Sequence, residues 1–182
     1  MKTNTLSDCE FIVLGLVAEM PRHGYELEHV IESRGMREWT EIAFSSIYFV
    51  LGKLERADFV HAASSNGPKA RKTYTISPEG REALISRTVQ ALATWKPTYS
   101  SVSVGMLNWN ILPLDQAIDA LAERVAAVES EIRRLETVRL PAQPQPDFVE
   151  SLFDFTAGQL RAELEWIQAT IAYMQTKPRR PE

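Results

Sequence analysis

Apolar residues recur at helical spacing over 7–20, "SDCEFIVLGLVAEM", where Phe11, Leu14 and Val17 share a face broadened by Ile12, Gly15 and Ala18. That breadth predicts a buried helix. Ser7 with Glu10 three residues on is a capping-box pattern, and Pro21 ends the helix. "RHG" reads as a turn and "YELEHVIESRG" as a second, shorter helix, with Gly35 placed for a left-handed C-terminal position. After an irregular connector over 36–44 comes "FSSIYFVLGKLE". There Ile47, Val50, Leu51 and Leu54 form an apolar stripe, and Ser45, Tyr48, Gly52 and Lys53 face the other way. Ser45 or Ser46 is the expected cap of this third helix, which should end near Ala57.

The next segment alternates and breaks. "DFVHAASSNGPKARKTYTIS" predicts a β-hairpin with strands near 59–63 and 71–76, since Asn-Gly and Gly-Pro lie in its turn. Ser77-Pro78-Glu79 opens a fourth helix expected to reach about Trp95. Residues 96–113 are irregular and read as a linker with one short helix near 102–110. Two long helices follow, over 114–139 and 148–176, separated by the Pro-rich "LPAQPQP". In the first, Ile118, Leu121, Val125, Val128, Ile132 and Leu135 alternate spacings of three and four. In the second, Leu160, Leu164, Ile167, Ile171 and Met174 do the same. The expected fold is mainly helical with a small β-hairpin. Its expected divisions are a domain over 1–95, a linker over 96–113 and a helical domain over 114–182.

Composition adds constraints. The 182 residues are 45% hydrophobic and 24% charged, enough apolar material for a core without disulfides or metal. The single cysteine, Cys9, sits in an apolar run and reads as a small buried hydrophobe in a reducing compartment. No apolar stretch with a small-residue cleavage site follows Lys2, and the longest apolar run, 11–18, is too short to span a bilayer. A cytoplasmic protein is expected. The formal net charge of −4 argues against a general polyanion binder but leaves room for a local basic site.

Such a site is visible. Three short helices and a two-stranded hairpin are the layout of a winged helix, whose third helix enters the DNA major groove while the wing touches backbone. Ser45 and Ser46 stand at a helix N-terminus, where hydroxyls and backbone N–H groups hold phosphate. Tyr48 can donate to a phosphate or a base edge, Gly52 permits close approach, and Lys53 adds charge. The hairpin contributes Lys69, Arg71 and Lys72, with no acidic residue between Ala62 and Thr75. The plainer alternatives are a solvated hairpin tip and a Tyr that lids the core; a winged layout also occurs in protein-binding adaptors.

Three runs carry a specific resemblance: "FIVLGLVAEMPRHGYELEHVIE" (11–32), "SSIYFVLGKLERADFV" (45–60) and "RKTYTISPEGREAL" (71–84). Leu-Gly-Leu, His-Gly-Tyr-Glu-Leu, Ser-x-Tyr with spaced leucines, and Arg-Lys-x-Tyr-x-Ile-Ser-x-x-Gly occur in that order. Over its first half the chain thus resembles the PadR-like transcriptional regulators, and its two long C-terminal helices resemble the larger subgroup, which pairs through them. The resemblance implies a homodimeric DNA-binding repressor. It assigns Ser46, Tyr48 and Lys53 to recognition-helix contacts, Tyr25 to a phosphate contact and Arg71 and Lys72 to wing contacts. Three positions depart from the family pattern: Phe49 for Arg or Pro, Gly52 for a basic residue, and Asp58 for the Gly before the first strand.

The seam residues Ile118, Leu121, Val125, Val128, Ile132, Leu135, Leu160, Leu164, Ile167 and Ile171 read either as an internal helical hairpin or as a dimer interface. The dimer is favoured, because two narrow-seamed helices bury little alone and DNA half-sites call for two-fold symmetry. Trp95, Tyr99, Trp109 and Phe155 are core filling or, more sharply, the lining of an effector pocket between the two regions. Relatives in the resembled family sense small aromatic compounds, which would be the ligand class. His23 and His29 do not have ligand spacing, no nucleophile constellation is evident, and neither metal, cofactor nor enzymatic activity is expected. The alternative class is a winged-helix protein–protein adaptor.

Overall fold

The computed structural model describes residues 6–36, 47–64, 71–139 and 146–177. They fall into two compact units, Met1–Pro97 and Thr98–Glu182. Ser45, Ser46 and Lys69 lie outside the described residues, as do most of the 36–44 connector and of the Pro-rich break.

In the first unit, helix α1 spans Asp8–Glu19, strand β1 Arg22–His23, and helix α2 Gly24–Ser33. Helix α3 spans Ile47–Arg56, β2 Val60–Ser64, β3 Lys72–Ile76, and α4 Pro78–Ala93. The capping box at α1 is complete: the Ser7 hydroxyl accepts from the Glu10 N–H, and Glu10 Oε2 accepts the Ser7 N–H at 2.8 Å. The sheet order is β1-β3-β2, all antiparallel. "RHG" is therefore more than the expected turn. Arg22 pairs with Tyr74 and His23 with Thr73, making a third strand. A two-residue strand has no alternation to read, so the pattern could not disclose it. Three helices and this small sheet make a winged helix.

The core explains the sequence runs. Val13, Leu14 and Val17 of α1, Leu27 and Ile31 of α2, and Ile47, Leu51 and Leu54 of α3 are fully enclosed, with Val60 and Tyr74 of the sheet. Tyr74, the tyrosine of "RKTYTIS", is thus a core residue, and burial pushes its phenol above the usual range. The exit of α3 is a Schellman motif. Asp58 takes φ 58°, its N–H donates to Glu55 O, and the Phe59 N–H donates to Leu54 O. Ser77 ties this turn to α4: its N–H donates to Phe59 O, its hydroxyl donates to Asp58 O at 2.6 Å and accepts from the Gly80 N–H.

In the second unit, α5 spans Ser101–Met106, a single 3-10 turn Trp109–Ile111, α6 Leu114–Arg139 and α7 Asp147–Gln175. The 96–113 stretch, expected as a linker with one short helix near 102–110, carries α5 and this turn, and Val102 and Trp109 pack onto the second core. Helices α6 and α7 pack as an antiparallel hairpin. Arg124 bridges to Glu163, and Arg139 to Glu150 and Asp154. The expected seam closes inside the chain: Ile118, Leu121, Val125, Val128 and Ile132 pack with Leu160, Leu164, Ile167 and Ile171, while Leu135 is buried as well. Among the described residues no helix is long and apolar enough to cross a membrane.

Candidate nucleic-acid interface

Helix α3 presents three unequal flanks, because 100° per residue separates positions that seem adjacent in the sequence. Its buried stripe is Ile47, Val50, Leu51 and Leu54. Opposite that stripe stand Phe49, Gly52 and Arg56, with Arg56 Nε donating to Gly52 O at 2.9 Å. Tyr48 and Glu55 occupy the flank toward the wing; Lys53 occupies the flank toward α1.

The wing-side flank is a connected surface. The Tyr48 ring lies against Gly24, where an added Cβ would come within 2.5 Å of Tyr48 Cε1. The next residue, Tyr25, stacks on His23 with ring centroids 5.7 Å apart, and the Arg71 guanidinium lies 4.9 Å from the centre of the Tyr25 ring. His23 is fixed in turn, with Nδ1 3.0 Å from Lys72 O and its N–H donating to Glu26 Oε2 at 2.7 Å. Tyr25, Tyr48, Arg71 and Lys72, expected from scattered parts of the sequence, thus come together. Tyr48 and Tyr25 are 59% and 44% exposed, so they do not lid the core.

Lys53 does not join them. Its Nζ lies 3.5 Å from Glu10 Oε1 and 5.0 Å from the centre of the Phe49 ring. Burial opposes ionisation of Glu10, but the Ser7 N–H and hydroxyl together with Lys53 hold its carboxyl below the usual range. Lys72 is likewise paired, with Nζ 3.2 Å from Glu55 Oε2. Sequence reading missed Arg56 and the carboxylates Glu10 and Glu55. Arg56 was findable, since it follows Phe49 and Gly52 at seven and four residues on one helical face. Among the described residues no group of three His, Cys, Asp or Glu side chains could hold a metal ion.

A family model described as "Transcriptional regulator PadR-like family" matches residues 13–86. The matched segment contains Tyr25, Tyr48, Lys53, Arg71 and Lys72, and leaves Ser7 and Glu10 outside it. Solved structures give the fold for both units. PadR of Bacillus subtilis in complex with operator DNA is similar over 91% of this chain and 98% of its own, with TM-score 0.72 and 16% identity. The same protein in complex with p-coumaric acid gives TM-score 0.74 and 18% identity over 91% of this chain and 98% of its own. A PadR-like transcriptional regulator from Bacillus cereus gives 0.66 and 21% over 94% of this chain and all of its own. No curated protein matches the chain in sequence.

The second unit holds a cavity of about 270 Å³ lined by α5 (Val102, Gly105, Met106), Trp109, Leu112 and α6 (Ala117, Leu121, Arg124). Of the four aromatics expected to line an effector pocket, Trp109 is there. Trp95, Tyr99 and Phe155 are 84%, 88% and 63% exposed and do not line it. Helical periodicity marks which positions are apolar but not which helix will leave a gap beside them.

Proposed function

We propose that this chain is a sequence-specific DNA-binding transcriptional repressor that acts as a homodimer and is released by a small aromatic effector. The observation that carries the reading is the joined surface of Tyr48, Tyr25, Arg71 and Lys72 beside the exposed crest of α3. A hydroxyl-tipped ring on the helix and two cations at the wing suit groove and phosphate contact together. The operator complex of the B. subtilis protein supports it on the same fold. The test is a mobility shift on the DNA upstream of its own gene, with Tyr48→Ala and Arg71→Ala beside wild type. A retarded band lost in both variants supports the reading.

Pairing of two chains is supported by a second stripe on α7. Phe148, Leu152, Phe155, Ala162, Trp166, Ala169 and Tyr173 follow spacings of three and four with Gln159, and all are exposed. The inner seam is spent within the chain, so this outer one is the surface for a second copy. A light-scattering mass of two chains at micromolar concentration tests it. The effector is assigned to the cavity beside Trp109, whose largely apolar walls suit a small aromatic compound. An effector acts only by binding one state of the protein better than another. Quenching of tryptophan emission by a panel of phenolic acids, lost in Trp109→Phe, tests that assignment.

A protein–protein adaptor is the second reading. Phe49, 60% exposed on the crest of α3, is the feature that suits it. Partner binding that ignores salt would favour the adaptor.

A further inference from the structure

Two lysines near the interface already have carboxylate partners: Lys72 at the wing and Lys53 on the flank of α3 toward α1. Lys72 Nζ lies 3.3 and 3.2 Å from the two oxygens of Glu55, which stands on α3 itself. Lys53 Nζ lies 3.5 Å from Glu10 Oε1, while Glu10 Oε2 is held by the Ser7 N–H and hydroxyl, both at 2.8 Å. The capping box thus anchors one carboxylate oxygen and leaves the other turned to Lys53. Both lysines are about half exposed, with side-chain accessibilities of 47% and 51%. Pairs this exposed are weak enough to be exchanged for a phosphate. The Glu10–Lys53 pair also borders a surface cavity of about 390 Å³, which gives the ammonium room to turn.

We propose that Glu55 and Glu10 set the strength of DNA binding: they are internal counter-ions that lower the affinity of Lys72 and Lys53 for phosphate on any DNA. This rests on the reading of the chain as a DNA-binding regulator. Binding to unrelated sequence is almost wholly electrostatic, whereas operator binding adds base contacts. A carboxylate beside each lysine therefore weakens both modes by a similar factor, and unrelated binding, which has no base contacts to fall back on, is the first to drop out as salt rises. The carboxylate repels the phosphate that would replace it and must be left behind when the lysine turns. The chain can then read its site without being held along the genome, which suits a protein of net charge −4.

The experiment uses the full-length protein and two duplexes, one selected by wild type from a random library and one unrelated. Affinities are measured for wild type, Glu55→Gln, Glu10→Gln and the double variant Glu55→Gln/Lys72→Gln across a salt series. Gln preserves the capping box, so Glu10→Gln leaves α1 intact. Glu55→Gln should bind the unrelated duplex roughly fivefold tighter at low salt, with a salt slope steeper by just under one. Its gain on the selected duplex should be of similar size, and Lys72→Gln in the same chain should abolish both gains. Glu10→Gln should show the same direction. A gain of affinity cannot come from unfolding, so misfolding does not imitate the expected result. Unchanged affinity and slope in both Gln variants overturns the proposal, as does a gain that survives Lys72→Gln. Selective loss of the selected duplex in Glu55→Gln also overturns it, since Glu55 would then be reading a base. Failure of wild type to bind either duplex at low salt defeats the DNA-binding reading instead.

Discussion

The Tyr48 ring occupies the space that a Cβ on Gly24 would need, with Cε1 only 2.5 Å from that point. The glycine of "RHGYE" is therefore a seat for the third helix's tyrosine. The ring is exposed and can swing away, so Gly24→Ala should displace Tyr48 without unfolding the unit. The expected outcome is a loss of DNA affinity of about tenfold, within the range of one lost contact, and a melting temperature within about 4 °C of wild type. Titration with DNA and a thermal melt check the two halves.

Gly80 is a different case. A Cβ there would lie 2.1 Å from the Phe59 carbonyl oxygen, which is backbone and cannot turn aside. Gly80→Ala should destabilise the first unit by about 3 kcal/mol or more through overpacking. Ser77→Ala, which removes a buried cap and its bond to Asp58 O, should cost about 1–3 kcal/mol. Urea denaturation followed by circular dichroism measures both.

Asp58 holds a left-handed φ of 58° at the Schellman turn after α3. Glycine adopts that conformation without the Cβ penalty. Asp58→Gly should raise stability by about 0.5–1 kcal/mol, despite the greater freedom of the unfolded chain. A lower denaturation midpoint in this variant would contradict the strain assigned to that turn.

Glu19 accepts from Arg34 at 2.6 and 2.9 Å and from Arg22 at 2.9 Å. Bonding to Arg34, ahead of opposing burial, holds its carboxyl below the usual range. A depressed folded pKa adds stability above the unfolded value, and that stability is lost as pH falls through the folded value. Stability should therefore decline as pH drops below the ordinary carboxylate range. Glu19→Gln should be less stable than wild type at neutral pH and should lose less on acidification. Equal pH profiles for the two proteins would contradict the role given to this cluster.

Much of this was legible in the sequence, and the exceptions share physical causes. The apolar stripes of α1, α3, α6 and α7 and the capping box at Ser7 were visible, because each is written in local spacing or local chemistry, and the departure at Asp58 was visible against the pattern of the resembled family. The two-residue strand at Arg22–His23 was not, since its partners lie about 50 positions away in β3. The split of Lys53 from Tyr48 was hidden for another reason. A helix face spans a wide arc, and only the packing of α1 against α3 decides that Lys53 meets Glu10. Ten seam residues were readable as a seam; whether they close on their own chain or on a second copy is not written in their spacing. The effector aromatics were chosen by composition, and composition does not say which rings line a cavity.

The central claim is that the Tyr48, Tyr25, Arg71 and Lys72 surface binds DNA in a sequence-dependent way. The most direct measurement is the affinity of wild type and Tyr48→Ala for a duplex selected from a random library, over a salt series. The account predicts that log K falls linearly with log salt by about 0.9 for each phosphate contacted. It further predicts that Tyr48→Ala weakens the selected duplex by about 1–3 kcal/mol and an unrelated duplex by less. Selection that enriches no sequence, or a Tyr48→Ala protein that binds the selected duplex at wild-type strength, would contradict it.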